Sequence, residues 1–262
     1  MSLYVYVSRQ QFLSPLFLSR VKARVGMKAK GRGTKTGKIT LPRVKETREK
    51  RMARVLNLAV LLSGSGRTLE NLQRAIVARR LSARVAIVVS SKSEAYGLVR
   101  ARQYGLDVVA VPRRDYPDPQ TFNEAINTIL APYPIDLVVL AGFLSLYAPP
   151  PALVGRVMNV HPALLPAFGG RGFYGERVHR AVLESGVKLS GCTVHFADAC
   201  YDHGPIILQS AVPVEDDDTV ESLAARVFAA ECTLYPQAIQ LFAEDRLRLV
   251  GRRVHILPAA SS

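Results

Sequence analysis

Two polar side chains that could carry out acid–base chemistry, Asn159 and His161, stand two residues apart at the end of an apolar run. If that run is a strand, its alternation puts both side chains on one face and Val160 on the other. An asparagine amide can donate a hydrogen bond to a developing oxyanion, and an imidazole exchanges protons near neutral pH. The alternative is a structural histidine beside a turn asparagine, and the paired spacing at a strand end argues against it.

A second candidate is the polar loop Asp198–Pro205, which lies between two predicted strands. A carboxylate from this loop could orient a facing imidazole and raise its pKa, because a neighbouring negative charge favours the protonated ring. Asp-His-Gly is also ordinary turn chemistry, so the loop considered alone is better explained as a hairpin connection.

The third candidate, Ser63–Thr68, lies between an apolar run and a segment with helical spacing. Backbone N–H groups at a helix start attract anions, and glycines allow a phosphate to approach closely. The turn lacks the Gly-Lys-Ser/Thr ending of an ATP-binding loop, and Leu69 occupies the place of the third glycine of a dinucleotide fingerprint. It therefore fits a phosphomonoester, with a simple tight turn as an equally weighted alternative.

The remaining polar residues suggest structural roles. We expect His179 on a helix face and His195 within a strand, both as structural side chains. The three cysteines show no spacing typical of a zinc site, and their low, odd number suits a reducing compartment. These are Cys192, Cys200 and Cys232.

Short apolar runs and helix-length segments alternate from residue 56 onward, which predicts right-handed crossovers and a parallel sheet. The predicted strands are 56–62, 85–89, 108–111, 137–141 and 157–160, and the helices between them are 66–80, 94–104 and 119–130. Two closely spaced strands, 192–196 and 206–212, and a long helix, 219–242, predicted to bend near Pro236, follow. The predicted class is α/β: a Rossmann-like, mostly parallel sheet with helices on both faces and an antiparallel or mixed carboxy-terminal edge.

The positive charge of the chain is concentrated in one segment. Residues 1–53 carry 14 Lys and Arg and two acids, a net charge of +12, whereas the remaining 209 residues carry a net charge of +2. We therefore expect two parts, a basic and disordered extension over 1–53 and a catalytic domain over 54–262. No apolar run approaches the roughly 20 residues of a membrane helix.

Three interpretations of residues 1–53 are open. The segment could be a basic arm for nucleic acid, a targeting segment, or an over-long reading frame whose true start is Met52. We favour the start at Met52, because the segment has neither the interleaved aromatic residues nor the fold of a nucleic-acid-binding surface. We accordingly expect no nucleic-acid partner and no membrane.

An ordered set of segments resembles a known family, the phosphoribosylglycinamide formyltransferases, which are folate-dependent enzymes of purine synthesis. The segments are LLSGSGRTL, VVLAGFL, NVHPALLPAF, GCTVHFAD, YDHGPIILQ and AARVFAAECTLYP. The resemblance extends from about Val55 to Val250. It implies transfer of a formyl group from 10-formyltetrahydrofolate to the amine of a glycinamide ribonucleotide, in the cytoplasm, without a metal, by a monomer or homodimer.

The resemblance also implies roles for individual residues. The catalytic residues would be Asn159, protonated His161 and Asp202, with Asp202 keeping His161 charged. The substrate phosphate and ribose would be bound by Gly66, Arg67, Thr68 and Glu231. The folate would lie between Leu144, Ser145, Leu146 and Tyr147 on one side and Asp198, Ala199, Cys200, Tyr201 and Asp202 on the other, with Asn159 also in contact.

Four features depart from the family pattern. Arg67 and Phe228 stand where small polar or polar residues are expected, 115–119 lacks the basic residue that often contacts the folate tail, and 169–175 is long. Arg67 and Phe228 put the contacts with the substrate in doubt. The segment that ends at Pro119 puts the contact with the folate tail in doubt.

Other functions compete with this assignment. A formyltetrahydrofolate deformylase shares the catalytic residues but carries an amino-terminal regulatory domain, for which residues 1–53 are too short and too basic. Transfer-RNA and sugar formyltransferases generally have Ser where Ala163 stands, together with a carboxy-terminal domain that this chain lacks. A non-catalytic nucleotide-binding protein with a basic arm is the alternative from a different class.

Overall fold

The computed structural model describes residues 54–259 and, before them, the backbone of strand β1, Val5–Tyr6. β1 pairs antiparallel with the strand Val108–Ala110. The predictions for 1–53 otherwise fall outside the described residues and stay predictions.

One eight-stranded sheet forms the centre of the described chain. Besides β1, its strands are β2 (Leu56–Leu62), β3 (Ala83–Ser90), β4 (Val108–Ala110), β5 (Leu137–Leu140), β6 (Val157–His161), β7 (Leu189–Phe196) and β8 (Ile206–Pro213). Their order is β1-β4-β3-β2-β5-β6-β7-β8. Strands β4, β3, β2, β5 and β6 run parallel, whereas β7 and β8 are antiparallel to their neighbours. The predicted mostly parallel sheet with an antiparallel carboxy-terminal edge is confirmed.

Helices cover both faces of the sheet, with four of the described α-helices on one face and one on the other. They are α1 (Arg67–Val77), α2 (Tyr96–Gln103), α3 (Pro119–Leu130), α4 (Glu176–Ser185) and α5 (Val220–Ala243). Buried residues of α1, α2, α4 and α5 share one hydrophobic core, and those of α3 belong to the other.

The alternation along β2 shows why the sheet is buried on both sides. Leu58, Val60 and Leu62 point into the core with four helices, and Ala59 and Leu61 point into the core with α3. All five side chains are fully buried. A strand that is apolar on both faces needs cover on both faces, and this is typical of the centre of a parallel sheet.

The helix α5 begins at a complete capping box. The hydroxyl of Thr219 accepts from the backbone N–H of Ser222, and the hydroxyl of Ser222 accepts from that of Thr219. The helix remains continuous through Pro236 to Ala243. It packs against β7 and β8 and against α1, so it joins the antiparallel edge of the sheet to its parallel centre.

Most element boundaries agree with the predicted ones within a few residues, but two elements were not delimited. Helix α4 was anticipated only through the position of His179. The hairpin of β9 (Leu247–Val250) and β10 (Arg253–Ile256) was not predicted. Its apolar residues are largely exposed, so it lacks a clear alternation of buried and exposed positions. No helix within residues 54–259 combines the length and hydropathy needed to cross a membrane.

Tyr235 connects α5 to two strands below the candidate site, and we predict that Tyr235→Phe lowers the free energy of unfolding. The side chain is fully buried, and its hydroxyl lies 2.8 Å from the carbonyl oxygen of Met158 and 3.1 Å from that of Leu140. Loss of a buried hydrogen-bond donor costs about 1–3 kcal/mol.

Urea denaturation monitored by circular dichroism measures this cost. Tyr104→Phe is the matched control, since Tyr104 is 42% exposed and should tolerate the change. Equal stability of the Tyr235→Phe variant and the wild-type protein would show that the hydroxyl contributes nothing.

Candidate active site

The candidate site lies where the order of the strands reverses. The chain moves from β2 outward to β4 and then returns to place β5 on the other side of β2. Beyond the carboxyl ends of these two strands, the N–H of Ser63 donates to the carbonyl of Gly142, and the N–H of Leu144 donates to Ser63 Oγ, at 3.0 and 2.9 Å. Open α/β sheets bind ligands at such a reversal, and a cavity of about 750 Å³ lies here.

The structure brings Asn159, His161 and Asp202 together in this cavity. Asn159 and His161 are on β6, and Asp202 is in the loop between β7 and β8. Asp202 Oδ2 lies 3.4 Å from His161 Nδ1, and Asn159 Nδ2 donates to Asp202 Oδ1 at 3.3 Å. One carboxylate therefore contacts both of the β6 side chains.

His161 is 3% exposed and has an acceptor near each ring nitrogen. Its Nε2 lies 2.8 Å from the carbonyl oxygen of Phe168, which can only accept, so this nitrogen carries hydrogen. Its Nδ1 faces Asp202. Burial nevertheless lowers the pKa of His161 below 6.5, against the opposing effects of Asp202 and the Phe168 carbonyl.

The predicted role of Asp202, which is to keep His161 charged in the transition state, stays a prediction. The negative charge of Asp202 favours the protonated ring. The ring is almost completely removed from water, however, and this loss of hydration has the larger effect on its pKa. Burial thus favours the neutral imidazole, and additional negative charge beside the ring favours the protonated one.

The carboxylate of Asp202 is held in its ionised form. Burial alone would raise its pKa, but contacts with His195 and His161 and the N–H of Gly170, which donates to Oδ2 at 2.9 Å, lower the pKa below 3.8 overall. Asp202 has a φ of 54°, in the left-handed region that Asp and Asn tolerate better than most residues.

His195 belongs to the site, although the sequence suggested only a structural role for it. It lies opposite Asn159 in the antiparallel pairing of β6 with β7. Its Nδ1 lies 2.9 Å from the carbonyl oxygen of Phe196, and its Nε2 lies 3.1 Å from Asn159 Nδ2 and 3.7 Å from Asp202 Oδ1. Sequence spacing does not show which residues of β6 and β7 lie opposite each other, so it could not reveal this contact.

One predicted folate segment, 144–147, lines the cavity and is held by α3. The side chain of Asn123 donates to the carbonyl of Leu146 at 3.2 Å and accepts from the N–H of Ala148 at the same distance. Tyr147 is 2% exposed, and its hydroxyl donates to Asn127 Oδ1 at 2.6 Å. The ring of Tyr147 thus belongs to the core, while Leu144, at 43% exposed, presents its side chain to the cavity.

The other predicted folate segment, 198–202, also borders the cavity, except for Ala199. The carboxylate of Asp198 accepts from the N–H of Cys200 at 2.9 Å and lies 3.0 Å from Nδ1 of His203. Arg252 donates to the carbonyl of His203 at 2.6 Å, so the turn between β9 and β10 supports the end of this loop.

The loop also contains a group of possible metal ligands that the cysteine spacing did not indicate. Ligand atoms of Asp198, Cys200 and His203 lie within 4.8 Å of one another. The guanidinium of Arg252 lies 3.2 Å from Nε2 of His203. This positive charge opposes the binding of a cation there.

The predicted phosphate turn meets α5 at the same cavity. Gly66 has a φ of 75° and is the residue before α1, and a Cβ at this position would lie 2.5 Å from the Cα of Gly97. Gly66 thus shapes the turn but does not line the cavity, whereas Arg67 and Thr68 do line it, as does Glu231 of α5. Burial raises the pKa of Glu231 to about 7, against the opposing charge of Arg67.

Fold and site together define a formyl transferase. The family model described as formyl transferase matches residues 56–239, and the chain belongs to this family. Two curated relatives are named phosphoribosylglycinamide formyltransferase. The protein from Haemophilus influenzae is 36% identical, over 73% of this chain and 89% of its own length. The chloroplastic protein from Vigna unguiculata is 39% identical, over 77% of this chain and 65% of its own length.

Solved structures give the same family. Glycinamide ribonucleotide transformylase 1 from Symbiobacterium toebii is 46% identical and superposes with a TM-score of 0.72, covering 78% of this chain and 95% of that one. A formyltetrahydrofolate deformylase from Pseudomonas syringae is 22% identical with a TM-score of 0.67, and this likeness shows a shared fold alone. The chain spans just under two thirds of the length of the Vigna unguiculata relative.

We predict that Glu231→Gln changes how stability depends on pH. The native pKa of about 7 lies above the ordinary value of 4.5, so the native state binds the proton more tightly than the unfolded state does. The contribution of this group to stability is therefore complete at low pH and is lost as pH rises from about 4.5 to 7.

Melting temperatures of the variant and the wild-type protein at pH 5 and pH 8 measure this effect. Relative to the wild-type protein, the Gln variant should gain stability between the two values, because glutamine stays neutral. A difference between the two proteins that is the same at both pH values would contradict a raised pKa of Glu231.

Proposed function

We propose that this chain transfers the formyl group of 10-formyltetrahydrofolate to the amine of 5'-phosphoribosylglycinamide, a step of purine synthesis. The observation that carries the proposal is the contact of one buried, ionised carboxylate, Asp202, with both Asn159 and His161 in a 750 Å³ cavity. The names of the relatives and of the Symbiobacterium toebii structure support formyl transfer to this acceptor.

The reaction is the addition of an amine to a formyl carbon followed by departure of the folate nitrogen. The amine nitrogen forms a bond to the formyl carbon, whose oxygen becomes negatively charged. Asn159 and His161 stabilise this oxyanion. The negative charge also raises the proton affinity of His161, which offsets the effect of burial at the moment when the charge is needed.

Proton transfer completes the exchange. The attacking nitrogen loses one proton to Asp202, directly or through water, and Asp202 returns this proton to the departing N10 of the folate as its bond to the formyl carbon breaks. The products are the formylated amine and tetrahydrofolate, so atoms and charge balance. Neither a covalent enzyme intermediate nor a metal ion is required by these steps.

The hydrogen bonds of Asn159 indicate which contact the formyl oxygen replaces. Its amide nitrogen has two hydrogens and two acceptors, His195 at 3.1 Å and Asp202 at 3.3 Å. The longer contact, to Asp202, is the weaker one. We infer that this hydrogen turns to the oxyanion, while His195 keeps the amide in the correct orientation.

In this arrangement the folate and the acceptor bind against different walls of the cavity. The folate lies between 144–147 and 198–202. Leu144 supplies an apolar surface for its ring, and backbone groups of these segments supply hydrogen bonds at its edge. The phosphate and ribose of the acceptor lie against Arg67, Thr68 and Glu231, and Gly66 shapes the turn that positions the first two. We further propose that the protein acts in the cytoplasm as a monomer or homodimer and that its ligands are small molecules alone.

Absorbance at the wavelength of the folate product tests the function in the full-length chain. Product release that requires glycinamide ribonucleotide establishes the transferase. Release without the ribonucleotide supports the deformylase instead. Absence of release under both conditions, with ribonucleotide binding retained, supports the non-catalytic nucleotide-binding protein.

We predict that Asp202→Asn and His161→Ala each lower kcat by about 10²–10⁴-fold, because each removes a group that acts on charge or protons in the transition state. Asn is as tolerant of the left-handed φ of residue 202 as Asp, so this change tests the charge rather than the backbone.

The controls are Asp216→Asn and His255→Ala, which change exposed residues away from the cavity. Circular dichroism and melting temperature check the folding of all four variants. Full turnover in a folded Asp202→Asn or His161→Ala variant would remove that residue from the mechanism.

A further inference from the structure

A short segment after β6, residues 168–170, contacts two ionisable residues of the candidate site through its backbone. The carbonyl oxygen of Phe168 lies 2.8 Å from Nε2 of His161, and the N–H of Gly170 donates to Oδ2 of Asp202 at 2.9 Å. The two contacts come from the first and the last residue of the segment. One piece of backbone therefore sets the orientation of the imidazole and of the carboxylate together.

The backbone of 168–170 adopts conformations that are costly for most residues. Phe168 has a φ of 52°, and Gly170 has a φ of 95°. A bulky residue in the left-handed region is strained and persists only where the surrounding structure holds it. The side chain of Phe168 packs against the core that contains four helices, so tertiary packing maintains this conformation.

Gly169, between the two contacts, leaves no room for a side chain. A Cβ atom at this position would overlap with Cδ2 of Leu165 and lie 3.4 Å from Cβ of Asp202. Leu165 is held in place, because its side chain is buried and its backbone N–H and carbonyl are bonded to the side chains of Thr193 and Gln209. Glycine at position 169 therefore allows the segment to approach the carboxylate closely.

The contact with Phe168 decides which ring nitrogen of His161 can change its protonation state. A carbonyl oxygen can only accept, so Nε2 carries a hydrogen in the neutral and in the charged ring. The neutral ring then has a lone pair on Nδ1, which lies 3.4 Å from the ionised Oδ2 of Asp202. Because Nε2 already carries a hydrogen, a ring that becomes charged takes its second proton at Nδ1.

We propose that 168–170 is a positioning segment, which fixes the Nε2–H form of His161 and leaves Nδ1 as the atom that takes up the proton and faces the formyl oxygen. This inference rests on the proposed function, since it assigns atoms within the same site. Nδ1 takes the proton from water as the oxyanion forms and returns it to water when the oxyanion collapses, so the products are unchanged. The segment acts through His161 and Asp202 rather than on the reacting atoms.

Gly170 and Gly172 give a matched test of the backbone contact with Asp202. Their φ angles are 95° and 98°, and a Cβ atom at either position would meet no other segment within 4 Å. Alanine therefore introduces similar backbone strain at both positions, but of the two only Gly170 donates to Asp202. We expect Gly170→Ala to lower kcat by about 10- to 100-fold, because a misplacement of about 1 Å in a catalytic group costs up to about 100-fold in rate.

Steady-state kinetics of the full-length variants give kcat and the KM values for the ribonucleotide and the folate. Gly172→Ala should have a kcat close to that of the wild-type protein. Both variants should keep both KM values near those of the wild-type protein, because the effect of the segment is on the reacting groups and not on ligand binding. Circular dichroism checks that both variants fold.

NMR spectroscopy of the full-length protein with ¹⁵N-labelled histidine tests the state of the ring directly. The shifts of the two ring nitrogens show which one carries hydrogen, and His161→Ala identifies the signals of His161. We expect hydrogen on Nε2 at every pH and a titration of Nδ1 alone as pH falls. Gly169→Ala, whose Cβ overlaps with Leu165, should displace the segment and increase the population with hydrogen on Nδ1 in the neutral ring.

A neutral His161 with its hydrogen on Nδ1 in the wild-type protein overturns the inference. Equal kcat values of folded Gly170→Ala and Gly172→Ala also overturn it. If Gly170→Ala does not fold, the NMR measurement on the wild-type protein decides. These results differ from failure of the proposed function, in which the wild-type chain itself transfers no formyl group, since the NMR measurement needs no turnover.

Discussion

The candidate site depends on the ionised state of Asp202. A carboxylate removed from water is costly, and here the cost is offset by the histidines on either side of it and by the N–H of Gly170. Each of these partners comes from a different element: β6, β7 and the loop after Phe168. The carboxylate thus fixes the relative positions of three separate parts of the chain around the cavity.

The change from parallel to antiparallel pairing at β7 makes this arrangement possible. Because β7 returns antiparallel beside β6, His195 lies directly opposite Asn159, and the loop after β7 brings Asp202 into contact with both Asn159 and His161. The antiparallel edge is therefore the element that brings the acid to the asparagine and histidine.

The same electrostatic balance explains why His161 and Glu231 depart from their ordinary behaviour in opposite directions. Burial opposes charge on both, so the pKa of the imidazole falls and that of the carboxyl rises. The free site thus holds fewer charges at neutral pH than its residue types suggest. Asp202 retains its charge, and it is the group to which we assign the proton.

Local spacing and residue type were enough to predict the alternation of strands and helices, the shared face of Asn159 and His161, and the tight glycine turn before α1. Tertiary structure alone decided that His195 contacts Asn159, that Tyr147 turns into the core, and that Arg67 lies on Phe228. It also decided the net direction of the His161 pKa, because burial outweighs the effect of Asp202 that the sequence suggested. Contacts between distant segments and the degree of burial both arise only when the strands pair and the helices pack, so no local pattern contains them.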